Sequence, residues 1–130
     1  MRWRLRPARE VEHSSMTPFE RAAMRFNASE AGHAVRGLVR TLGTPSVSVG
    51  ASAGTPREVR VTVAWELSWY QWGVDVGDER RPVVQLGKGG ELEQLDPAAR
   101  QWNASVVEGG RIVLLAPVES RPAAGAPAPR

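Results

Sequence analysis

The sequence predicts an α+β domain: an N-terminal helix, or a bent helix pair, packed on one face of a curved antiparallel sheet of four to six strands, with a short helix before the last strands. Three observations predict it. Apolar residues recur at helical spacing as far as Leu42, then switch to a period of two from Ser46. Hairpin-type turns at 76–83 and 108–111 separate the strand-like runs. The chain has 130 residues, enough for one core and not two.

Taken in order, residues 1–16 read as a basic arm or a short edge strand. Trp3 and Leu5 alternate with Arg2, Arg4 and Arg6, and Pro7 interrupts the alternation. The single α+β domain is expected over 17–118. Thr17 suits a helix cap, Pro18 the first helical position, and Glu20 the place of a capping-box carboxylate. A second such signal follows at Asn27-Ala-Ser-Glu30. Ala31, Val35, Leu38, Val39 and Leu42 then form a stripe that Gly43 and Pro45 end. These signals predict helices over 18–26 and 28–42, or one helix bent at Asn27.

Val47 and Val49 alternate with serines, and 50–56 reads as a loop. Val59, Val61, Val63, Trp65, Leu67 and Trp69 then occupy one phase, and Tyr70, Trp72, Val74 and Val76 the other. One strand over 59–76 would be ~60 Å long at about 3.3 Å per residue, whereas a domain of roughly 100 residues has a radius of gyration near 13 Å. Length and phase both require an interruption near Trp69 and Tyr70. A β-bulge is the economical reading, because Trp-Tyr-Gln-Trp lacks turn chemistry; a tight turn is the alternative. Val83, Val84 and Leu86 form the return strand, and 87–90 a glycine-rich loop. Asp96 and Pro97 open a short helix that directs Leu95, Ala99 and Trp102 to the core. Strands follow at 105–107 and 112–116. The Pro/Ala-rich tail 119–130 has no large apolar residue and is expected to be disordered.

Composition excludes several functions. With no cysteine there is no disulfide framework, zinc–thiolate site or thiol chemistry. No apolar run approaches the ~18 residues of a membrane helix, and the basic N-terminus has no apolar stretch of a secretory signal behind it. A cytoplasmic protein without membrane contact is expected. The net charge is +3, with sixteen arginines and a single lysine. The positive excess lies in the first forty residues, while 57–100 is slightly acidic. Such arginine bias reflects codon usage more than nucleic-acid recognition.

The candidate ligand or interface residues are Glu66, Trp69, Tyr70 and Trp72. Rings exposed on a sheet would stack bases, sugars or an apolar ligand. Against this, Trp65 and Trp69 share the phase of Val61 and Val63 and read as core, and a bulge would return Tyr70 and Trp72 to that face. Glu66 reads as mid-strand, solvated if its face is open and shifted in pKa if it is covered. Arg2, Trp3, Arg4, Arg6 and Arg9 form a candidate nucleic-acid arm, offset at once by Glu10 and Glu12. His13 and His33 are too far apart for a metal site. The acids Asp75, Asp78 and Glu79 lack calcium-loop spacing. Gly87–Gly90 is a poor phosphate loop, because Asp96 puts a negative charge at the next helix start. No catalytic motif, metal or cofactor is implied. The expectation is a small soluble, non-enzymatic protein-interaction or self-assembly module, partnered by its own copy or another protein. The alternatives are a weak single-stranded nucleic-acid binder acting through the arm, and a ligand-binding or hydrolytic domain with a pocket between helix and sheet.

Overall fold

The computed structural model describes residues 16–52 and 54–115. The readings of 1–15, including the arginine arm and Trp3, and of the tail from 116 lie outside the described residues.

Two helices, α1 (Pro18–Ala28) and α2 (Glu30–Leu42), lie on one face of a six-stranded antiparallel sheet. The strands are β1 (Ser46–Ala51), β2 (Glu58–Trp65), β3 (Ser68–Asp75), β4 (Val84–Gly89), β5 (Ala104–Val107) and β6 (Arg111–Leu114). Their order is β4-β3-β2-β1-β5-β6.

Thr17 closes the expected capping box, accepting from the Glu20 amide at 3.0 Å while the Glu20 carboxylate accepts from the Thr17 amide at 2.8 Å. The break between helices falls at Ser29, not Asn27. Ser29 ends α1 and caps α2, its hydroxyl accepting from the Gly32 amide. Asn27 is instead spent on the sheet: its side-chain amide donates to the Ile112 carbonyl and accepts from the Ile112 amide, both at 2.9 Å. The helices converge at Gly32, where a Cβ would run into the Phe26 and Asn27 carbonyls.

The helix-facing core joins Ala22, Phe26 and Val35 to Val47, Val49, Val61, Val63, Trp65, Trp72 and Val74. Phe26 meets Trp72 edge-on at 5.1 Å, Trp72 stacks on Tyr70 at 5.9 Å, and Tyr70 meets Trp65 edge-on at 6.2 Å. Such pairs contribute about 0.5–1.5 kcal/mol each beyond area burial. Arg25, in the last turn of α1, donates to the carbonyls of Asp75, Glu79 and Arg81 and ties the β3–β4 loop to the helix.

The interruption of the long apolar run is a tight turn and not a bulge at Trp69. Trp65 pairs with Ser68, leaving Glu66 and Leu67 as a two-residue hairpin loop. Two loop residues reset the phase, so Trp65 and Tyr70 share the helix face while Trp69 points the other way. A register shift does occur, between Gln71 and Trp72 in their pairing with β4. That strand continues through Gly87 and Lys88 to Gly89, so most of the expected glycine loop is ladder.

From β4 the chain must pass β3, β2 and β1 to reach the place of β5. Residues 90–103 make that crossing over the back of the sheet, with 3₁₀ turns at Leu92–Gln94 and Pro97–Arg100 in place of the expected short helix. Leu95 and Ala99 are buried as expected, but against Trp69 and Ala64 on this second face, with Leu92 and Trp102 packed around them. The strap's polar ties are specific. The Trp69 indole donates to the Glu91 carbonyl at 3.0 Å, Ser48 accepts from the Gln101 amide at 3.2 Å, and Arg60 holds Asp96 through two bonds of 3.0 and 3.2 Å.

Candidate functional site

The hairpin that resolves the phase conflict also builds the most distinctive surface. At its tip Leu67 is 80% exposed, and across from it Leu42, the last residue of α2, is 48% exposed. Between them lies a groove of about 470 Å³ lined by Leu42, Thr44, Ser46, Ala64, Trp65, Glu66, Leu67, Ser68 and Leu92. Three separate elements meet here for a local reason. Gly43 ends α2, and its carbonyl accepts the Trp65 indole N–H at 2.8 Å, which fixes the helix end against the hairpin. Leu92 arrives on the strap.

The candidate residues fall in different places. Glu66 is exposed at the turn, not mid-strand, and belongs to the groove lining. Trp69 is buried on the back face under the strap and does not share a face with Val61, Val63 and Trp65 as its phase suggested. Trp72 is buried and Tyr70 half-buried in the helix-facing core, so neither presents a ring for stacking. The aromatics are therefore structural, and of the four residues only Glu66 reaches the candidate surface. Leu67, read as part of the inward phase, and Leu42, read as the end of the helix stripe, are the groove residues that sequence reasoning missed. An apolar residue at a turn position was the available signal, but it shows only once the turn is known.

A larger cavity of about 740 Å³ lies at the other end of the sheet, lined by Thr55, Pro56, Arg57, Glu58, Asp75, Arg81, Pro82 and Val84. Two of its charges serve the local chain. Arg81 pairs with Asp75 at 3.5 Å, and Asp75 also accepts from the Gly77 amide at 2.8 Å. A third, of about 430 Å³, opens where Pro18, Phe19 and Arg21 of α1 meet Ala51, Val59 and Val76 at the edge of the helix–sheet interface. The Arg21 guanidinium donates to the Met16 carbonyl at 3.0 Å.

Two carboxyl groups are held below the usual carboxylate range. A hydrogen bond from the Arg60 side chain lowers Asp96, and the backbone amide and side chain of Arg80 lower Asp78. Groups held ionised this way are poor proton donors near neutral pH. Both shape loops: Asp96 caps the turn at Pro97–Arg100, and Asp78 accepts from the Arg80 amide two residues on. Among the described residues no three His, Asp or Glu side chains gather as metal ligands, and no helix is long and apolar enough to cross a membrane. No family model, no curated protein and no solved structure matches this chain, so its own geometry carries the functional reading.

Proposed function

We propose that this chain is a small, non-enzymatic cytoplasmic protein-interaction or self-assembly module whose docking surface is the groove at the β2–β3 hairpin tip. The observation that carries the reading is the exposure of Leu67 beside Leu42 over a groove that Trp65 and Leu92 help to line. An isolated surface leucine needs no explanation; two leucines framing a groove of mixed apolar and hydroxyl lining match the composition of a protein–protein contact.

The test exploits the turn itself. Neither Glu66 nor Leu67 has positive φ, so the loop lacks the primed-turn geometry that suits a two-residue hairpin. Replacing the pair by Glu66→Asn with Leu67→Gly supplies that chemistry and removes the apolar knob. The double variant is expected to keep the wild-type circular dichroism and urea midpoint. By light scattering it is expected to stay at the 14.1 kDa monomer mass under conditions where the wild type self-associates. Wild-type levels of self-association in this variant would overturn the assignment of the groove.

A further inference from the structure

We propose that the groove at the hairpin tip receives residues 2–6 of a second copy of this chain, so that two copies exchange N-terminal arms about a two-fold axis. The inference rests on the docking surface proposed above and names its occupant.

Charge and chemistry select that occupant. The groove is apolar at Leu42, Trp65, Leu67 and Leu92, and its lining carries one charge, that of Glu66. Glu91 and Glu93 flank Leu92, and all three glutamates are exposed. Among the described residues none of them takes part in an ion pair. The nearest cation along α2, Arg40, is exposed two residues before Leu42 and is not part of the lining. A groove with these apolar walls among Thr44, Ser46 and Ser68, and with glutamates around it, suits a peptide that alternates apolar and basic residues. Arg2-Trp3-Arg4-Leu5-Arg6 is such a peptide, and it lies within this chain. Trp3 and Leu5 match the slot, and the arginines match the glutamates, with rim charges contributing more to orientation and encounter rate than to affinity.

Chain length permits delivery of the arm to a second copy. The start of α1 lies at the sheet end where Ala51, Arg57 and Val76 meet Pro18 and Phe19. The groove is at the opposite end, the full length of β2 away, which is about 25 Å for eight residues. The ten steps from Arg6 to Met16 span at most ~36 Å, which is enough to reach a copy's own groove and also to pass its edge to the groove of a neighbour. Exchange about a two-fold axis satisfies both grooves at once, and the mass in solution distinguishes it from an arm folded onto its own copy.

Full-length charge-reversed chains test this. One carries Arg2→Glu, Arg4→Glu and Arg6→Glu; the other carries Glu66→Arg, Glu91→Arg and Glu93→Arg. Light scattering is expected to give twice the 14.1 kDa mass for the wild type, the single mass for each reversed chain alone, and twice the mass again when the two are mixed. Dimerisation of the arm-reversed chain alone at wild-type strength would overturn the arm exchange, as would a mixture that stays monomeric. If the tip variant is monomeric while arm reversal leaves the dimer intact, the groove is a docking surface and the arm is not its occupant. If neither change alters the mass, both readings fall. Binding of a single-stranded oligonucleotide that depends on the arm and is unaffected by wild-type dimerisation would return the arm to nucleic-acid recognition.

Discussion

The Asp96 carboxylate serves three partners: two nitrogens of Arg60 and the Ala99 amide. It thereby fastens the start of a 3₁₀ turn to the back of β2. Because these donors hold its folded pKa below the unfolded value, the stabilisation is fully present above the ordinary carboxylate range near pH 4 and is lost as pH falls through the folded value. Asp96→Asn keeps a competent cap and removes the charge. With the Asp96 side chain half-exposed, the wild type is expected to exceed the variant by about 0.5–1 kcal/mol at pH 7. Urea titrations are expected to show that gap closing as pH falls below about 4. A gap that widens toward acid would contradict the assignment. Asp96 was readable as a cap from Pro97 beside it; its Arg60 partner, 36 residues away in sequence, was not.

At the level of elements, local signals were reliable where a residue acts on its own backbone and misleading where a side chain reaches another element. The Thr17–Glu20 capping box formed as expected because its partners are three residues apart. Asn27 has the chemistry of a cap, yet bonding the Ile112 backbone draws it away and leaves Ser29 as the cap. A tight turn was only the alternative to a bulge, and was sought near Trp69, because the hairpin at Glu66 and Leu67 has no glycine or asparagine at positive φ to mark it. Conversely, Trp102 adopts φ +49° without glycine's freedom, and its ring packs on the Trp69 side of the strap. The α1–α2 junction gives the element-level prediction. Gly32→Ala drives a methyl into the last carbonyls of α1 and is expected to destabilise the fold by about 1–3 kcal/mol, as overpacking does. Gly37→Ala, where a Cβ meets nothing within 4 Å, is expected to be neutral or stabilising by up to ~1 kcal/mol. Equal urea midpoints for the two variants would refute the close approach.

For the whole molecule, the β5–β6 hairpin is the part held by the fewest ladder bonds. A single residue pair, Val47 with Ala104, joins β5 to β1. Two asparagines reinforce it: Asn103 bonds the Val49 amide and carbonyl at 2.8 and 2.9 Å, and Asn27 holds β6 from the helix side. Either Asn103→Ala or Asn27→Ala strands a backbone donor and acceptor at a cost of about 2–3 kcal/mol. Hydrogen exchange is expected to quicken across Ala104–Val107 and Arg111–Leu114 before it quickens in β2 and β3; uniform acceleration would mean that the hairpin does not open separately. The sequence by itself determined the α+β class, the helical N-terminal region with its first cap, the period-two strands, and the turns at 76–83 and 108–111. These follow from periodicity and from side chains acting within a few residues. Only the tertiary structure decided that Trp69 faces the back of the sheet, that the strap from β4 to β5 makes a second core there, and that Leu42, Leu67 and Leu92 meet at one groove. Periodicity gives a strand two faces but does not say what covers each, and a groove built from a helix end, a hairpin tip and a crossover exists only once all three are packed.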